Sequence, residues 1–131
     1  MGRTGKGEAQ IQMAAVAYAK EKYPVLQTLG FYVNNNSRSI FQGVRNKRMG
    51  ITAGVFDFIC LVRSGPHTAL AIDFKVAPNN LSPKQQRFKK DAQAQGVKCC
   101  VAYSFEEAKE IIDNYMIGNG ERTEWMEKNL N

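Results

Sequence analysis

The 131-residue sequence holds one histidine, three cysteines and no CxxC pair. A zinc centre built on imidazole and thiolate would have almost nothing to bind with. Cys60, Cys99 and Cys100 make an odd number, and two of them adjoin. Each lies in an apolar run, which fits buried, reduced thiols better than disulfides. No apolar run approaches the ~20 residues of a membrane span, and the N-terminus lacks the apolar segment of a signal peptide. The expectation is a soluble, cytoplasmic protein without membrane contact. His67 follows Pro66 in a turn and reads as a loop residue rather than a general base.

Acidic residues are scarce in most of the chain. Residues 1–103 carry 15 Lys+Arg against 5 Asp+Glu, a balance of +10, and residues 104–131 carry 3 against 7, a balance of −4. A basic body suits a polyanionic partner, though a solvated basic surface explains the count equally well. An apolar fraction of 44% suits a globular chain, and the length suits one domain over residues 1–131, with 1–7 flexible, a core over about 8–116 and a C-terminal helix over 117–131. "MGRTGKG" lacks the GK[ST] ending of a phosphate-binding loop.

Ile11, Ala14, Ala15 and Tyr18 recur at helical spacing, predicting a helix from Glu8 to Tyr23 that Pro24 ends. A strand is expected over 29–34. Residues 34–54 are polar and glycine-punctuated, with Arg38, Arg45, Lys47 and Arg48 and no acid; they read as a loop or loose hairpin. Strands follow over about 55–62 and 68–76, joined by "RSGPH". Ser82 and Pro83 start a helix to about Gln95, Gly96 closes it, and "VKCCVAYS" is a strand. Ser104 and Glu107 form a capping box for the next helix, and a last short one is expected over 121–129. The order αβββαβα describes a mixed α/β domain with helices on a small sheet. Ile111, Ile112, Tyr115 and Met116 suit either a core or a subunit interface.

Inside the apolar run "LAIDFKV" stand Asp73 and Lys75. Alternation puts them on one face with Ala69 and Ala71, and Leu70, Ile72, Phe74 and Val76 on the other. A hairpin about "RSGPH", with paired positions summing to near 130, places Asp57 opposite Asp73. Two facing carboxylates repel and push each other's pKa up. A hard cation such as Mg²⁺ between them removes the conflict, with the Phe74 backbone carbonyl as a further oxygen ligand. Lys75 then lies within reach of a metal-bound water or a phosphate. The spacing equally permits an exposed ion pair on an edge strand, with Asp57 capping a turn.

"GVFD" at 54–57, "DFK" at 73–75 and "LSPKQQRF" at 81–88 together resemble the PD-(D/E)xK nuclease superfamily, and more narrowly its VRR-NUC domain. The resemblance covers roughly Glu8 to Ile112, with Phe56 where the family usually has proline. It implies a restriction-endonuclease-like αβββαβ core, a small mixed sheet flanked by helices. It implies that Asp57 and Asp73 bind Mg²⁺ or Mn²⁺, that Lys75 positions the attacking water, and that Glu8 contacts the metal or its water. Gln85 would orient Lys75 or the phosphate. The helix start at Gln85 also favours a phosphate by its dipole. Lys84 and Arg87 on that helix, with Arg38, Arg45, Lys47 and Arg48, would contact DNA backbone.

The function so implied is a metal-dependent DNA endonuclease, structure-selective on branched or junction DNA, acting as a homodimer like a Holliday-junction resolvase. Small stand-alone versions suggest a phage or viral protein in the host cell, or a bacterial cytoplasmic one. A non-cleaving nucleic-acid-binding module that kept the fold is the alternative.

Overall fold

Ala69–Phe74 is the strand that every other element is arranged around, and all six of its residues are buried. The computed structural model describes residues 3–33 and 39–130, with side chains for all of these except 3–6, 40 and 119–130. Its elements are α1 (Arg3–Lys22), α2 (Leu26–Leu29), β1 (Gly30–Tyr32), α3 (Ile40–Arg48), β2 (Phe58–Cys60), β3 (Ala69–Phe74), α4 (Pro83–Ala94), β4 (Val97–Ala102) and α5 (Phe105–Leu130). The sheet runs β1-β2-β3-β4, with antiparallel pairs along β1-β2-β3 and a parallel β3–β4 pair made by the α4 crossover. The result is a mixed α/β fold with flanking helices. No helix among the described residues is long and apolar enough to cross a membrane.

The two faces of the sheet do different work. Phe58, Cys60, Leu70, Ile72 and Phe74 pack with Ala15 and Ala19 of α1 and with Ala108, Ile112, Tyr115 and Met116 of α5. Those last three are core, so they offer no subunit interface, because α5 lies on the sheet rather than beside it. The opposite face of β3 carries Ala69, Ala71 and Asp73; α4 packs against β4, and its first turn reaches Asp73 through Gln85.

Several boundaries differ from the sequence reading. The strands expected over 29–34, 55–62 and 68–76 shrink to Gly30–Tyr32, Phe58–Cys60 and Ala69–Phe74, and Leu26–Leu29 is a helical turn. The expected loop over 34–54 contains the helix α3. Ser39 caps it, its hydroxyl accepting from the Gln42 N–H, and Arg45, Lys47 and Arg48 in its last turn favour the dipole. α1 begins at Arg3, inside the segment read as flexible. The separate helix over 121–129 is the continuation of α5, which passes through Gly118 without a break; a Cβ there would lie 2.8 Å from Ser64 Oγ, so the glycine permits close packing.

One carboxylate joins α1 to α5. Asp113 accepts from Tyr18 and Tyr23 hydroxyls at 2.7 Å and from Lys22 Nζ at 3.3 Å. Burial pushes its carboxyl up, but these donors outweigh burial and hold it below the ordinary range. Its contribution to stability is therefore full above the ordinary carboxyl pKa and fades as acid protonates it. Asp113→Asn should lower the melting temperature by a few degrees near neutrality and by progressively less below about pH 4, followed by circular dichroism.

Candidate active site

The β2–β3 register pairs Phe58 with Ile72 and Cys60 with Leu70, so each pair sums to 130 as the turn implied. Asp57 lies one residue before β2, at the position facing Asp73. There its side chain substitutes for a ladder bond: Asp57 Oδ2 accepts from the Phe74 N–H at 3.0 Å, while its carbonyl accepts from the Val33 N–H at 2.8 Å. An extended residue turns its N–H and C=O to the same side. The Phe74 carbonyl therefore faces the Asp57 side.

Asp73 is fully buried at 0% exposure. Lys75 Nζ stands 3.4 Å from its Oδ2, and Gln85 Nε2 lies 3.2 Å from both of its oxygens. Burial first, then the Asp57 charge and a hydrogen bond with it, push the Asp73 carboxyl up to about 7; Lys75 opposes the shift without cancelling it.

Gln85 meets Asp73 rather than Lys75, and its N–H is not free for a phosphate. It donates that N–H to Ser82 Oγ at 3.2 Å while its Oε1 accepts from the Ser82 N–H at 2.9 Å. The capping box thus holds the amide that holds the carboxylate. The "GVFD" segment is tied to the same helix. Gly54 has φ +90°, and a Cβ there would lie 2.6 Å from the Lys84 carbonyl, so only glycine fits. Phe56, in the position the resemblance gives to proline, is fully buried with its ring 5.2 Å from that of Phe88 on α4.

A cavity of about 600 Å³ opens over the pair and is lined by Glu8, Asp57, Asp73, Lys75, Lys84 and Gln85. The five candidate catalytic residues thus share one cavity. Glu8 does not join the carboxylate pair: among the described residues no three His, Cys, Asp or Glu side chains converge as a metal cluster. Gln12 and Tyr32 also line the cavity and were missed. Gln12 was findable, one turn beyond Glu8 at i+4 on the same helix. Arg45 and Lys47 sit on α3 beside neighbouring cavities, with Arg48 in the same last turn. Arg87 points away and pairs with Asp91 at 2.9 Å. Arg38 lies outside the described residues. The three thiols are free, and burial raises Cys60 to about 12 and Cys99 to about 11, which disfavours the thiolate form.

No family model matches this sequence, and no curated protein matches it. Among solved structures, a VRR_NUC domain protein matches with a TM-score of 0.74, covering 86% of this chain and 89% of that one at 20% identity. The chain therefore has the VRR-NUC fold. At that identity the likeness concerns the fold, and the chemistry rests on the side chains described above.

The raised Asp73 pKa has a definite sign in stability. The folded state keeps a proton up to about pH 7 that the unfolded chain releases near 4, so stability falls as pH rises between those values. Asp57→Asn keeps an acceptor for the Phe74 N–H while removing the opposing charge. In chelator near pH 8 it should raise the melting temperature, by roughly 3–5 °C for each kcal/mol relieved, and the gain should shrink toward pH 5.

Proposed function

We propose that this chain is a divalent-metal-dependent nuclease that hydrolyses phosphodiester bonds in DNA. The observation that carries this reading is the carboxylate pair: a fully buried Asp73 facing Asp57, with an ammonium and an amide on it, at the base of an open cavity. So costly an arrangement is retained for binding rather than for stability.

The donor set consists of oxygens only: two carboxylates, with the Phe74 carbonyl turned to the same side. It suits Mg²⁺ or Mn²⁺. A bound ion would polarise a phosphate oxygen and lower the pKa of water. Asp57 and Asp73 would hold it, each fixed by its own hydrogen bond to the frame. Lys75 stands beside Asp73, placed to orient the attacking water and to offset negative charge growing on the phosphate. The water oxygen forms the new bond to phosphorus as the bond to the 3′ oxygen breaks; the water gives up a proton to solvent, and the departing 3′ oxygen takes one from solvent to leave as a hydroxyl. Glu8 faces the same cavity and positions water. Lys84 and the α3 cations hold flanking phosphates.

The finer reading follows the resemblance: an endonuclease selective for branched or junction DNA, working as a homodimer. One carboxylate pair among the described residues fits that reading, since a symmetric dimer would supply two sites for two strands.

Linear, flap, splayed and four-way DNA should be cut with Mg²⁺ or Mn²⁺ but not in EDTA, with branched forms cut fastest. Asp73→Ala and Lys75→Ala should each reduce the rate by about a hundredfold or more. Cutting that persists in EDTA or in Asp73→Ala sinks the metal–carboxylate reading. Binding without cutting under every metal supports the non-cleaving module instead, and a monomer by sedimentation removes the homodimer.

At subsaturating metal the rate should climb from about pH 6 and flatten above about pH 8, because Asp73 must lose a proton held to about 7 before it can bind a cation. A rate independent of pH across that range contradicts the assignment of Asp73 as a ligand.

A further inference from the structure

α3 contributes little to the core. Phe41 is 88% exposed, Met49 70% and Val44 54%. Arg45, Lys47 and Arg48 stand among them, the segment 39–54 has no carboxylate, and the ion pairs among the described residues use none of the three cations. A cavity of about 360 Å³ between α3 and the start of α4 is lined by Asn46, Lys47, Thr52 and Lys84, and it shares Ala53 and Lys84 with the catalytic cavity. A further cavity of about 550 Å³ shares Asn46 with it and is lined by Phe41, Arg45 and Met49. Shared lining residues thus link the three hollows in order, from the carboxylate pair to the exposed phenyl ring.

We infer that these hollows form a track that binds an unpaired DNA strand, which passes the site over Lys84 and Lys47 and stacks a base on Phe41. The inference rests on the proposed nuclease site as the end of the track. The cations grip the backbone without reading sequence. The exposed ring points to single-stranded rather than duplex DNA, because bases in a duplex are already stacked while an unpaired base has a free π-face. A second copy of the chain fits this face poorly, since a two-fold interface would set the basic patch against itself.

The test measures binding apart from cutting. The full chain, in EDTA, is titrated with a blunt duplex and with the same duplex carrying a single-stranded tail that contains 2-aminopurine. Wild type should bind the tailed form about tenfold more tightly, with a change in 2-aminopurine fluorescence. Phe41→Ala should collapse that ratio and abolish the fluorescence change, and Phe41→Trp should restore both. Equal affinity for the two substrates, or equal losses on both in Phe41→Ala, overturns the track. Conversion of a dimer to a monomer by Phe41→Ala would assign the face to a second copy and likewise overturn it. If no metal supports cutting while the tail preference persists, the nuclease reading falls and the strand-binding track stands.

Discussion

Two carboxylates brought face to face are the constraint around which this molecule is arranged. Asp57 and Asp73 sit at the open end of the β2–β3 hairpin, and Asp73 has no exposure to water at all. Repulsion and desolvation both disfavour ionising it. The surroundings fix the conflict in place without removing it. The Phe74 N–H holds Asp57, Gln85 and Lys75 hold Asp73, and Ala69 and Ala71 on the same face leave room beside it. A stability cost concentrated at one polar point, within an otherwise apolar strand, is the feature on which the proposed function rests.

Such a point needs a rigid frame, and the two faces of the sheet supply one. On one side Leu70, Ile72 and Phe74 lock β3 between α1 and α5, which Asp113 joins through Tyr18 and Tyr23. On the other, α4 presents its first turn to the carboxylates. Gly54 packs directly on the Lys84 backbone, leaving no room for a side chain between the "GVFD" segment and the helix start, and Phe56 against Phe88 adds to the same contact. Glu8 meets the cavity from α1. Elements far apart in sequence therefore reach one opening through two short apolar contacts and one capping box.

Local signals were legible where burial and hydrogen bonding agree with them. The Ser82 cap and the hairpin register followed from residue type and turn length, because each depends on neighbours a few positions away. α3 was not legible. Its apolar residues face solvent, so no core-facing periodicity announced it, and a serine cap with a basic last turn is a weak signal amid glycines. The partner of Gln85 was equally hidden: the resemblance offered Lys75 or a phosphate, and the structure sets its amide on the Asp73 carboxylate. Arg87 looked like its basic neighbours on α4, but Asp91 at i+4 takes its charge.

The sequence by itself determined that a carboxylate and a lysine stand on the small-residue face of a buried strand, with a second carboxylate one short hairpin away. Strand alternation and a tight turn leave little freedom there. Only the tertiary structure decided which side chains hold that pair. Only the fold shows that Glu8 shares the cavity without joining the carboxylates, and that a basic helix carrying an exposed phenylalanine lines the neighbouring hollows. Those arrangements come from how α1, α3 and α4 are set against the sheet, and helix placement depends on long-range packing that no local pattern encodes.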